Sequence, residues 1–145
     1  MITIRHVLNQ KPGHLHHIHP DATVRDSLKT MAEHNIGALV VMDGGQVVGV
    51  ITERDYARKI VLMGRTSLDT PVSEIMTKRV IFARPDQSVE ESLAVMTARA
   101  VRHLPVLDQN TVIGIVSIGD LVKAVIADKE FIIEQLETYI QGDCR

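Results

Sequence analysis

The chain has 145 residues, 45% of them hydrophobic, and a formal net charge of −2. Aromatic residues supply only 3% and Trp is absent, so the core must be Val, Ile, Leu, Met and Ala, and ring platforms for stacking bases are not expected. There is no basic run to suggest a nucleic-acid partner and no secretory h-region. No apolar stretch approaches the ~18 residues that span a bilayer, so a soluble cytoplasmic protein without a membrane partner is expected.

From the N-terminus, Thr3 to Leu8 reads as a short helical segment, broken by Lys11-Pro12-Gly13. His14 to His19 alternates like a short strand. Thr23-Val-Arg-Asp26 resembles a capping box with Asp in place of Glu, and Val24, Leu28 and Met31 carry an amphipathic helix to about His34. Ala38 to Met42 is a buried strand, Asp43-Gly44-Gly45 a tight turn and Gln46 to Ile51 the returning strand. Glu53 to about Met63 is a helix, and Gly64 to Thr70 a loop.

The pattern then restarts. Pro71 to Met76 is a short helix with Pro in its first turn, and Val80 to Ala83 a strand. Ser88-Val-Glu-Glu91 is a full capping box leading a helix marked by Val89, Leu93 and Met96. His103 to Leu107 and Thr111 to Val116 form a hairpin around Asp108-Gln-Asn110, and Ile118 to about Ala127 is a helix. Residues 20–58 align without a gap on 85–123, with 12 of 39 positions identical at an offset of 65. Random pairing would give about two or three. Leu8 pairs with Met76 at an offset of 68, so the first copy carries three extra residues around Gly13 to His19.

This predicts an α/β (α+β) fold of two βαββα repeats, 1–70 and 71–129, packed sheet to sheet about a pseudo-twofold axis. Residues 130–145 add a C-terminal helix and tail, with an apolar stripe of Phe131, Ile132, Gln135, Leu136 and Tyr139 that calls for cover. A unit of about sixty residues is marginal alone, which favours a shared core.

The most informative repeat is Gly49-Val-Ile-Thr-Glu-Arg-Asp55 with Gly114-Ile-Val-Ser-Ile-Gly-Asp120, each a strand running into a helix. Thr52 with Asp55, and Ser117 with Asp120, satisfy helix-start amides as capping boxes. The same geometry also suits a ligand. Free amides at a helix N-terminus attract phosphate, and an ionised Asp accepts from two ribose hydroxyls.

These motifs, with Val101-Arg-His-Leu-Pro-Val-Leu-Asp108 and its weaker twin Ile36-Gly-Ala-Leu-Val-Val-Met-Asp43, resemble the paired cystathionine-β-synthase (CBS) domains, or Bateman module, over about residues 2 to 127. The resemblance implies a cytoplasmic sensor of adenine nucleotides such as AMP, ATP or NAD(H), acting in signal transduction or energy sensing. It also implies sites of mixed origin. One would combine Val50, Thr52, Arg54 and Asp55 with Ile81, Val101, Arg102 and His103. The other would combine Ile115, Ser117, Gly119 and Asp120 with Leu15, His16, Ile36, Gly37 and Ala38. Arg54, Arg102 and His103 are its phosphate candidates, and Arg suits that role because its fork grips phosphate bidentately. On this reading Asp55 marks the better phosphate site, and Gly119 leaves the other more open.

A homodimer of CBS pairs and an effector protein are the implied partners. No catalytic residue, catalytic cofactor or metal is expected, since no nucleophile–base pair, Walker loop or dinucleotide fingerprint appears. His14, His16, His17 and His19 lack a completing ligand set and read as a partly exposed edge segment. Cys144 cannot form an internal disulfide. A dimeric interaction scaffold, with purely structural capping boxes, is the alternative function.

Overall fold

Helix α1 (Ile4–Gln10) begins where Thr3 caps it, its Oγ1 accepting from the His6 amide at 3.4 Å. The computed structural model describes residues 1–11 and 15–142. Pro12 and Gly13 of the expected break, His14 of the histidine cluster, and Cys144 lie outside the described residues. The chain divides into two compact units, residues 14–81 and residues 1–13 with 82–145.

The first unit holds β1 (His17–Ile18), α2 (Val24–His34), β2 (Ala38–Asp43), β3 (Gln46–Thr52) and α3 (Glu53–Tyr56). Its sheet has the order β1-β2-β3, parallel then antiparallel. The second unit holds α1, α4 (Val89–Arg99), β4 (His103–Asp108), β5 (Thr111–Ser117) and α5 (Ile118–Gly142). β4 and β5 pair antiparallel. Turns of positive φ close both hairpins, at Gly44-Gly45 and at Gln109-Asn110.

The sequence offset survives as geometry. Strand irregularities fall at Val41/Met42 and Val106/Leu107, which are 65 residues apart. The first core contains Val24, Met31, Leu39, Val41, Ile51, Val72 and Ile75. Their counterparts Val89, Met96, Leu104, Val106, Val116, Ile4 and Val7 are buried too.

Ile4 and Val7, from the start of the chain, belong to the unit of the second repeat, whereas Val72 and Ile75 belong to that of the first. Backbone hydrogen bonds fix this exchange. Ile4 N–H donates to Gln87 and Arg5 N–H to Pro85; correspondingly, Val72 N–H donates to Ala22 and Ser73 N–H to Pro20. Each βαββα body thus takes its leading segment from elsewhere in the chain, so the compact units do not follow the 70/71 division of the repeats.

Four expectations need correction. Val80 to Ala83 forms no strand; Ala83 alone bridges Val106. The helix from Glu53 is α-helical only to Tyr56 and widens to π geometry over Ala57–Val61, while Pro71–Met76 contains only a 3₁₀ turn at Val72–Glu74. The segments at 118–127 and 130–139 are one continuous 25-residue helix, α5. No Gly or Pro interrupts Asp120 to Gln141, which removes the local reason for a break.

Gly49 and Gly114 make room for the exchanged segments. A Cβ at Gly49 would stand 2.7 Å from Met76 Sδ and 3.0 Å from the Thr77 carbonyl oxygen, and one at Gly114 would stand 2.8 Å from Leu8 Cδ2. A leucine tip can rotate away more cheaply than a backbone carbonyl can move. Urea unfolding should therefore show Gly49→Ala costing about 1–3 kcal/mol, and Gly114→Ala distinctly less. Helices α2 and α4 both end on a left-handed residue, Asn35 at φ 53° and Ala100 at φ 55°. Asn tolerates that conformation and Ala does not, so Ala100→Gly should raise stability by about 1 kcal/mol in the same assay.

Candidate functional site

Each unit presents a hydroxyl and a carboxylate where a strand becomes a helix. In the first, Asp55 Oδ2 accepts from the Thr52 amide at 3.0 Å and the Thr52 hydroxyl at 3.1 Å, while Thr52 Oγ1 accepts from the Asp55 amide at 3.0 Å. In the second, Asp120 Oδ2 accepts from the Ser117 amide at 2.8 Å, and Ser117 Oγ accepts from the Asp120 amide at 3.1 Å. These are reciprocal capping boxes in both copies. The boxes leave the carboxylates at the mouths of α3 and α5.

Strand pairing sets the neighbours. Ala38 pairs with Thr52, and the Glu53 amide donates to the Gly37 carbonyl at 3.1 Å. His103 pairs with Ser117, and the Ile118 amide donates to the Arg102 carbonyl at 2.8 Å. Gly37-Ala38 thus lies beside Thr52 of its own copy, and Arg102-His103 beside Ser117. Leu15, His16, Ile36, Gly37, Ala38, Val50, Thr52, Arg54, Asp55 and Ile81 belong to the first unit. Val101, Arg102, His103, Ile115, Ser117, Gly119 and Asp120 belong to the second. Arg54 and Arg102 are exposed, and a Cβ at Gly119 would have, among the described residues, only Ser117 Oγ within 4 Å, at 3.6 Å.

The carboxylates have partners that sequence reasoning missed. Thr77 Oγ1 donates to Asp55 Oδ1 at 3.2 Å, and Lys59 Nζ lies 3.2 Å from the same oxygen. Lys11 Nζ donates to Asp120 Oδ2 at 2.8 Å and to the Ile115 carbonyl at 2.9 Å. Val50, the counterpart of Ile115, receives its bond from the Thr77 amide instead, at 2.8 Å. One lysine amine in the second unit therefore replaces the amide and hydroxyl of a threonine in the first. Lys59 was legible as an i,i+4 partner of Asp55, and Thr77 as the residue after Met76. Lys11 had no such signal, because its copy-equivalent is Arg79 and not Thr77.

The second unit gathers charge. Burial opposes ionisation of Asp120, but the Lys11 hydrogen bond, the Ser117 amide and the Lys11 charge outweigh it and hold the carboxyl below its ordinary range. Burial likewise pushes His103 below the ordinary histidine value of 6.5; Asp120 resists this, while Lys11 and Arg102 reinforce it. The junction is thus a carboxylate held by one lysine, with a half-buried histidine close enough to feel its charge. It can accept hydroxyl donors at Asp120 and attract an anion at Lys11.

Of the histidine cluster, the His16 ring stacks on His34 at 3.8 Å between centroids, and His19 Nδ1 accepts from the Asp21 amide at 3.0 Å. Among the described residues, no three His, Cys, Asp or Glu converge as metal ligands, and no helix is long and apolar enough to cross a membrane.

The sign of the His103 effect is testable. The unfolded chain takes up this proton near pH 6.5 and the folded one only at lower pH, so its contribution to stability is complete above 6.5 and declines as pH falls. His103→Gln should flatten that part of the decline in denaturation curves taken between about pH 7.5 and about pH 5. An unchanged slope would contradict the assignment.

Comparison with known proteins follows the same outline. The family model for the CBS domain matches twice, at residues 1–62 and 72–127. The Arabidopsis thaliana protein CBSX3, a mitochondrial CBS domain-containing protein, is 44% identical over 127 residues, which cover 84% of this chain and 62% of that protein. The chain thus spans less than two thirds of that relative's length. A solved CBS-domain protein from Burkholderia ambifaria is 50% identical with a TM-score of 0.84, covering 87% of this chain and 95% of that one. The CBS domain pair of protein MJ0100, solved with 5′-methylthioadenosine and S-adenosyl-L-methionine, is 27% identical with a TM-score of 0.76, covering 88% and 98%.

Proposed function

Because the chain belongs to the CBS-domain family, we propose that it is a regulatory module and not an enzyme, binding an adenine nucleotide (AMP, ATP or NAD(H)) and signalling to an effector protein through ligand-dependent conformation or self-association. The observation that carries this reading is the Ser117–Asp120 junction with Lys11 and His103 beside it. Asp120, ionised and half-buried, has the chemistry to accept ribose hydroxyls on this reading. Lys11, Arg102 and the amide end of the long helix α5 supply positive potential for phosphate. The adenosyl ligands of the MJ0100 pair support the nucleoside part. Phosphate preference then belongs to the Asp120 unit, and the Asp55 unit is the weaker site.

A second reading has its own support. Asp55 is 8% exposed and engages Thr52, Thr77 and Lys59, which is what a purely structural capping box requires. On that reading the protein is a dimeric interaction scaffold.

Titration calorimetry separates the two. AMP, ATP or NADH should bind, and Asp120→Ala should weaken binding by about tenfold or more, the scale of a lost charged hydrogen bond. Lys11→Met should weaken the phosphorylated ligands but not the uncharged 5′-methylthioadenosine. No heat with any of these ligands, or binding indifferent to both Asp55→Ala and Asp120→Ala, would leave the scaffold.

A further inference from the structure

The two leading segments are fastened differently. The one in the first unit docks through its backbone: the Thr77 amide donates to the Val50 carbonyl at 2.8 Å and the Val50 amide donates back at 3.0 Å. In the second unit the start of α1 is held in the same manner. Ile4 N–H donates to Gln87, Arg5 N–H to Pro85, and Val89 N–H to Ile2. The last turn of α1 is not. Among the described residues, no backbone hydrogen bond joins Leu8 to Lys11 with β5; the hold there is Leu8 against Gly114 and the Lys11 amine.

A helix of seven residues is too short to stand alone in water, so its far end is ordered only as well as these contacts order it. Lys11 leaves the helix extended, at φ −88° and ψ 128°, as suits a residue ahead of proline. Its amine bonds the Ile115 carbonyl at 2.9 Å and Asp120 at 2.8 Å. An ammonium carries three donors. The third meets no acceptor among the described residues, and the side chain is 34% exposed. An incoming anion therefore finds a donor whose other two bonds already tie α1 to the strand and the junction. In the first unit the uncharged Thr77 takes that place, and the cation, Lys59, stands on the unit's own helix.

Resting on the nucleotide reading of the Asp120 junction, we propose that α1 is a strap tightened by a bound anion: phosphate takes the third donor of Lys11 and so fixes the end of α1 against β5. The strap thereby reads the charge of the ligand and not its adenosine. Its outer face, Arg5, His6, Asn9 and Gln10, is exposed, so the change in order is presented at the surface.

Hydrogen exchange of the full chain, followed by NMR, tests this at the amides of Leu8 to Lys11. Under saturating AMP, ATP or NADH, whichever calorimetry shows to bind, they should exchange about tenfold more slowly, the scale of one charged hydrogen bond. Saturation with the uncharged 5′-methylthioadenosine should leave them unchanged, and so should the phosphorylated ligand at saturation on Lys11→Met. Lys11→Arg, which keeps the charge, should recover part of the slowing. A phosphorylated ligand that binds wild type without slowing these amides, or slows them equally in Lys11→Met, overturns the strap while nucleotide binding stands. If none of the three nucleotides binds, the reading beneath fails and the strap with it.

Discussion

A carboxylate three residues beyond the end of a strand controls both halves of this molecule. Asp55 and Asp120 each return a hydrogen bond to the amide that starts their helix, which fixes the angle at which the helix leaves the sheet. Each also receives a group from the segment that completes its unit: Thr77 at Asp55, Lys11 at Asp120. The strand–helix junction and the exchanged leading segment therefore meet at one oxygen pair. Removing either carboxylate would orphan an amide and release that segment from its anchor.

The glycine before each junction serves the same assembly. Gly49 and Gly114 lack side chains where Met76 and Leu8 press against the strand, so the leading segment can lie close enough for its next residues to reach the carboxylate. Two requirements, close packing and a polar anchor, thus explain the recurring Gly and Asp without reference to a ligand. A ligand site built there takes over a geometry the fold already maintains.

Most of the fold was legible from periodicity and turn chemistry, because α2, α4 and both hairpins owe their ends to local rules: hydroxyl caps, left-handed C-terminal residues and two-residue turns. What was not legible depended on tertiary packing. Nothing local tells residues 4–10 to join the body formed by residues 82 onward, since that choice follows from backbone bonds to Pro85 and Gln87. The failed strand at Val80–Ala83 is similar, its apolar residues needing a partner strand that only Ala83 finds. Thr52, Asp55, Ser117 and Asp120 were visible because they repeat. Lys11 was not, because it breaks the repeat: the second unit takes its lysine from the leading segment, where the first takes Lys59 from its own helix.

That asymmetry gives the account its most exposed point. If Asp120, Lys11 and His103 form a nucleotide site, native mass spectrometry of the freshly purified protein should reveal a bound adenosine-containing mass that is absent from the Asp120→Ala protein. Ligand-free wild type that also fails to take up added AMP, ATP or NADH would contradict it.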